Sequence, residues 1–119
     1  MALVDVEREG PVARVWFNRP ESHNALSAEL GGELVAALAR LRDDAACRII
    51  VLGGRGPSFC AGADLGAMKA SANASYEANL AEAQRLGAMF AAVAEFPKPV
   101  VARVHGGVYG GGVGFCCAC

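Results

Sequence analysis

The 119-residue sequence has almost no excess of either charge: 11 lysines and arginines stand against 12 aspartates and glutamates, a net of -1. That balance excludes the broad basic field by which proteins hold nucleic acid or anionic lipid, and a small molecule is the expected partner. Missing too is the basic start and long apolar core of a secretory signal, because MALVDVEREG interleaves acids with its apolar residues. The most apolar late run, Ala88 to Phe96, is broken by Glu95 and falls far short of the roughly 20 residues that a membrane span needs. A soluble, cytoplasmic protein is therefore expected. Five cysteines is an odd number, and most sit in apolar stretches, which favours free thiols in a reducing compartment over a disulfide framework. Cys116 and Cys119 form a C-x-x-C with no second pair, and only His23 and His105 are available to complete a zinc site. A buried helix face is the expected role of that segment, with no metal and no cofactor.

What is present is apolar and glycine-rich: 54% hydrophobic residues and 15 glycines, enough for one compact core crossed by tight turns. Leu3 to Glu9 alternates apolar and charged residues, Gly10-Pro11 turns, and VARVWF (12–17) alternates again, which predicts a β-hairpin. Ser27 is placed to cap a helix carrying Leu30, Leu34, Leu38 and Leu41 at helical spacing, with Glu29 in its first turn. CRIIVL (47–52) reads as a strand buried on both faces of a parallel sheet. A second helix is expected from about Ser75 to Glu95, with Tyr76, Leu80, Ala83, Phe90 and Val93 facing inward, ended by Pro97 and Pro99. Val100 to Val104 is expected as another buried strand, followed by a glycine loop and a helix beginning before Phe115. This alternation predicts an α/β fold with ligands gathered beyond the carboxyl ends of the strands. The apolar stretch up to Cys119 has no glycine cap or polar turn after it, so residues 1–119 are expected to be the N-terminal core of a longer, truncated domain.

Two loops occupy those strand ends, PSFCAGADL (57–65) and HGGVYGGGVG (105–114). The second does not fit G-x-G-x-x-G, because Phe115 stands where the third glycine belongs, and no Gly-Lys-Ser or Gly-Lys-Thr occurs. A nucleotide-binding α/β domain is thus the weaker alternative. Glycines ahead of a helix do something more general: they let a ligand oxygen approach main-chain N–H groups while the helix dipole adds positive potential. The amide of Ala63 needs no reactive side chain, Asp64 reads as a helix cap rather than an acid catalyst, and one N–H from each loop would make a paired oxyanion hole. Two merely tight turns are the competing reading.

These residues resemble the crotonase, or enoyl-CoA hydratase/isomerase, superfamily. The resemblance is carried by Asn18-Arg19-Pro20 with Asn24-Ala25-Leu26, by Phe59 to Leu65, and by Lys98-Pro99-Val100-Val101-Ala102 with Gly110-Gly111-Gly112. It covers nearly the whole chain. It implies a crotonase-like spiral of ββα units that binds an acyl-CoA, with the thioester oxygen held by the amides of Ala63 and Gly111. The CoA moiety would lie against Ser22, His23, Ala25, Ala61, Ala63, Asp64 and Leu65. Arg19, Arg55 and Lys69 are the cations its phosphates would meet, with solvated surface charge as the alternative for each. A homo-trimer or hexamer is the assembly the resemblance implies.

The sequence departs from the family at one telling place. Many hydratases carry a glutamate three residues after the oxyanion-hole glycine, and here that position is Gly114. The family's second acid lies beyond Cys119. A glycine moves no proton, so these residues are expected to recognise a CoA thioester with little turnover, and a non-catalytic thioester-binding or scaffold role is the alternative. His105 and Tyr109 flank the loop as possible proton donors, against the more ordinary reading of His105, and of His23, as satisfied structural residues.

Overall fold

The computed structural model describes residues 2–119. Three strand-strand-helix units follow one another. The first is β1 (Val4–Glu9), β2 (Val12–Phe17) and α1 (Ala28–Arg42), with a 3-10 turn at Pro20–Ser22 between strand and helix. The second is β3 (Ile49–Gly54), β4 (Ser58–Cys60), α2 (Leu65–Ala72) and α3 (Tyr76–Ala94). The third is β5 (Val100–Arg103), β6 (Gly107–Val108) and α4 (Gly111–Ala118).

Both strands of the first unit and the first strands of the other two assemble one four-stranded sheet in the order β1-β2-β3-β5, and β4 with β6 makes a second, two-stranded sheet. β1 and β2 pair antiparallel through the Gly10-Pro11 turn, in the register Val4 to Phe17 and Glu9 to Val12. β2–β3 and β3–β5 pair parallel, as expected of apolar strands that return through a helix. Alternation along β2 sends Ala13, Val15 and Phe17 into the core. The Leu30, Leu34, Leu38 and Leu41 stripe of α1 is buried in that same core, and the Ser27 hydroxyl accepts from the Leu30 amide at its N-terminus. Lys98 closes the other end of this helix, donating to the carbonyls of Leu41 (2.7 Å) and Asp44 (2.8 Å).

Five expectations need correction. The strand read as 47–52 runs from Ile49 to Gly54, because Cys47 still belongs to the turn, its amide donating to Asp44. β4 and β6 lie inside the two loops and are too short to show periodicity. β5 is not buried on both faces: it lies at the sheet edge, with Val101 and Val104 exposed. On α3 only Met89 and Val93 are buried; Tyr76, Leu80 and Ala83 are exposed, since the first turns of α3 run past the sheet and only the last two pack on α1 and α4. The C-terminal cysteines likewise do not form a buried face. Cys116 is half-buried and Cys117 and Cys119 are exposed, whereas Cys47 and Cys60 are in the core.

Candidate functional site

The loop after β4 is held from both sides by Leu26. The Leu26 amide donates to the Gly62 carbonyl (2.7 Å), and the Asp64 amide donates to the Leu26 carbonyl (2.9 Å). Between those two bonds the amide of Ala63 has no partner among the described residues. Gly62 has φ +88, and a methyl there would lie 2.9 Å from the Tyr109 carbonyl oxygen, so this turn demands glycine both for its backbone and for its neighbour.

The second loop supplies the matching group. Gly110 has φ 50° and ψ -119°, and helix α4 starts at the next residue. The amides of Gly112 and Val113 are already turned back onto the Tyr109 and Gly110 carbonyls (2.8 and 3.0 Å), which leaves the Gly111 amide unpaired among the described residues. It is the first N–H of α4, where the helix dipole is positive. The two turns touch: a methyl on Gly110 would sit 3.7 Å from the Gly62 Cα. Ala63 and Gly111 line one open cleft of about 750 Å³ together with Leu26, Asp64, Leu86 and Phe90. α4 can approach this closely because position 112 is glycine; a methyl there would lie 2.6 Å from the Cys60 carbonyl oxygen.

Asp64 is a cap. Its Oδ1 accepts from the Ala67 amide (2.9 Å) at the start of α2, and its Oδ2 accepts from the Arg19 Nη1 (2.7 Å), which also donates to the Ala25 carbonyl. The Ala67 amide and then the Arg19 guanidinium hold the carboxyl below its usual range, the condition of a structural anion and not of a proton donor near neutrality. Arg19 is thereby committed inside the protein. Arg55 is committed as well, pairing with Asp5 and Glu7 and stacking 4.4 Å over the Trp16 ring. Lys69 is exposed on α2.

The other expected binding residues sit in the turn that precedes α1 and in the loop after β4. Ala25 is buried, Ser22 and Ala61 are half-buried, and His23, Ala63 and Leu65 are exposed, Leu65 at 73%. His23 is in the left-handed region (φ 52), with Nδ1 2.9 Å from the Ser58 hydroxyl. His105 Nε2 lies 2.7 Å from the Gly56 carbonyl, the satisfied structural position, and Tyr109 is 64% exposed. Partial desolvation, followed by the neighbouring Cys116, pushes the Cys119 thiol up to about 11, away from the thiolate that metal or redox work requires. Among the described residues no group of three or more His, Cys, Asp or Glu is placed to hold a metal ion, and no helix is long and apolar enough to cross a membrane.

Three features had not been anticipated. Asn24 is the buried hub of the first turn, donating to the carbonyls of Arg55, Ser58 and Phe59 and accepting from the Arg19 amide; a polar residue between Pro20 and an apolar helix was the available signal. Glu29 and Glu82 put carboxylates on the wall of the cleft, Glu82 paired with Arg85; they come from two different helices, which no local pattern joins. Gly114 lies against the Phe90 ring, where a methyl would meet Cε1 at 3.0 Å.

The sequence model of the Enoyl-CoA hydratase/isomerase family matches residues 7–119, and the chain belongs to that family. It is 41% identical, over 98% of its own length and 46% of the relative's, to a Thermus thermophilus protein assigned as an enoyl-CoA hydratase. It is 36% identical, over 98% of its length and 42% of the relative's, to the 4-chlorobenzoyl coenzyme A dehalogenase-2 of an Arthrobacter species. Among solved structures, an enoyl-CoA hydratase from Shewanella pealeana superposes with a TM-score of 0.95 at 32% identity, covering 98% of this chain and 44% of that one. The fold is the crotonase fold of these enzymes. The chain spans less than half the length of the curated relatives it matches.

Proposed function

We propose that the chain binds an acyl-CoA thioester and polarises its carbonyl between the amides of Ala63 and Gly111, as the oxyanion hole of a hydratase- or isomerase-type enzyme. The observation that carries this reading is the pair of unpaired N–H groups on two touching glycine turns that line one cleft. An N–H that faces a cleft without a protein partner is free to donate to a ligand; two at one cleft are available to a single oxygen, and preorganised donors of this kind stabilise an enolate or tetrahedral oxyanion by about 2.7–4 kcal/mol each. The coenzyme A named in a relative that catalyses dehalogenation, beside relatives named for hydratase and isomerase chemistry, supports the thioester as the shared element and leaves the reaction to the acids around it.

The CoA moiety is placed by this reading along Ser22, His23, Ala25, Ala61, Asp64 and Leu65. The proposal includes a homo-trimer or hexamer as the working assembly and the cytoplasm as its location. Turnover by these 119 residues is expected to be slight, because Gly114 carries no proton and the Asp64 carboxylate is engaged by Arg19 and α2. A non-catalytic thioester-binding role is the second reading, favoured by that same engagement. The test is the carbonyl itself: with butyryl-CoA labelled at C1, the bound ¹³C resonance is expected to move downfield of the free one, as two hydrogen bonds draw electron density to oxygen. Binding with an unmoved resonance would remove the oxyanion hole, and heat on titrating ATP or NAD but none with acetoacetyl-CoA would favour a nucleotide site. Robust hydration of crotonyl-CoA by this chain would refute the expectation of low turnover.

A further inference from the structure

The wall beside the two free amides is aromatic and backed by the core. A methyl built on Gly111 would meet Leu26 Cδ1 at 2.7 Å and Phe90 Cζ at 3.4 Å, and one built on Gly114, a helical turn further on, would meet Phe90 Cε1 at 3.0 Å and Cζ at 3.3 Å. The Phe90 ring therefore lies flush on the glycine face of α4, against the residue whose amide is free. It cannot recede. Its centroid is 4.8 Å from that of Phe115, Phe115 is 5.1 Å from Phe17, and both of those rings are fully buried. Close-packed interiors do not yield space on demand, so a group pressing on Phe90 presses on the whole aromatic stack.

We infer that Phe90 is a specificity-determining residue that restricts this site to acyl groups unbranched at the carbon next to the thioester carbonyl. The inference rests on the proposed thioester reading. A carbonyl oxygen within hydrogen-bond reach of the Gly111 amide puts the acyl group in the cleft that Gly111, Leu26 and Phe90 line together. Leu26 and Phe90 lie close against Gly111 and Phe90 is backed by Phe115 and Phe17, so a methyl branch next to the carbonyl must displace the ring or withdraw the carbonyl from the amides. A straight chain passes edge-on into the open part of the cleft, along Ala67, Met68 and Leu86.

The test compares butyryl-CoA, isobutyryl-CoA and free CoA by titration calorimetry against the wild-type chain, Phe90→Ala, Phe90→Leu and Gly114→Ala. The wild type is expected to favour butyryl-CoA over isobutyryl-CoA by about tenfold or more, the scale on which one methylene is discriminated in a close-fitting apolar pocket. Phe90→Ala is expected to bring the two within about threefold, and Phe90→Leu, which keeps contact with Phe115 and so protects the fold, to fall between. Gly114→Ala, a favourable change for helix propensity, should push the ring into the cleft and weaken butyryl-CoA severalfold with free CoA unaffected. An unchanged butyryl-to-isobutyryl ratio across Phe90→Leu and Gly114→Ala overturns the inference and leaves thioester binding standing. If the wild type binds both thioesters no better than free CoA, the thioester reading itself falls and Phe90 selects nothing.

Discussion

Asn24 is fully buried and has φ 58°, a backbone region that asparagine tolerates far better than most residues. Its carboxamide joins the turn before α1 to the Arg55 carbonyl ahead of β4 and to the Ser58 and Phe59 carbonyls within it. Asn24→Ala is expected to lower unfolding free energy by about 3 kcal/mol or more, since several buried carbonyls lose their donor at once, and urea unfolding followed by circular dichroism measures it. A loss under about 1 kcal/mol would mean that water replaces the side chain. Asp64 offers a pH test. Its carboxyl is held low in the folded chain, so its contribution to stability is present above the unfolded value of about 3.9 and is lost as pH falls through the lower folded value. Asp64→Asn keeps an oxygen to cap α2 and removes the titration; its urea midpoint should therefore fall less steeply than the wild type's below about pH 4. Parallel acid limbs for the two proteins would contradict the assignment. The cap on α2 was readable from the sequence because capping is local. The Arg19 partner was not, being 45 positions away.

Elements were legible in proportion to their length. The β1–β2 hairpin and the leucine stripe of α1 stand where the periodicity places them, because each sums many weak preferences in one direction. β4 and β6, of three and two residues, pair with each other, and no local pattern encodes a pairing such as that of Ser58 with Gly107, made between distant segments of the chain. The polar and apolar spacing of α3 suggested an inward face along its whole length, yet burial is confined to its last turns, where α1 and α4 happen to lie. Lys98 shows the same dependence on distant parts. Its ammonium closes the C-terminal end of α1 from the loop before β5, donating to the Leu41 carbonyl in the last turn of the helix and to the Asp44 carbonyl in the turn that follows. Lys98→Met retains the apolar stem and removes those bonds, and is expected to cost about 1.5–3 kcal/mol, read as a lower urea midpoint with an unchanged slope. A midpoint within error of the wild type would show that the bonds are exchanged for water at no cost.

At the scale of the molecule, the radius of gyration of 14.0 Å is close to the roughly 13.5 Å of a compact domain of this size, but the surface is unusually apolar in places. Leu65, Met68, Tyr76, Leu80, Val101, Val104 and Val113 are all exposed, several of them on α2 and α3 around the cleft. Association that covers such surface is expected, and sedimentation velocity at micromolar concentration should show species several times 12.2 kDa; a single monomeric boundary up to high concentration would count against the proposed assembly. The sequence by itself determined the family, the parallel α/β character, the caps at Ser27 and Asp64 and the two turns that need glycine, because each of these is written in neighbouring residues or in motifs read in order. Only the tertiary structure decided which amides are left without partners, that Arg19 and Arg55 are spent on internal ion pairs, and that Phe90 lies where a side chain at position 114 would be. Those outcomes depend on distances between segments far apart in the chain, and such distances are set by packing the whole core, not by any stretch within it.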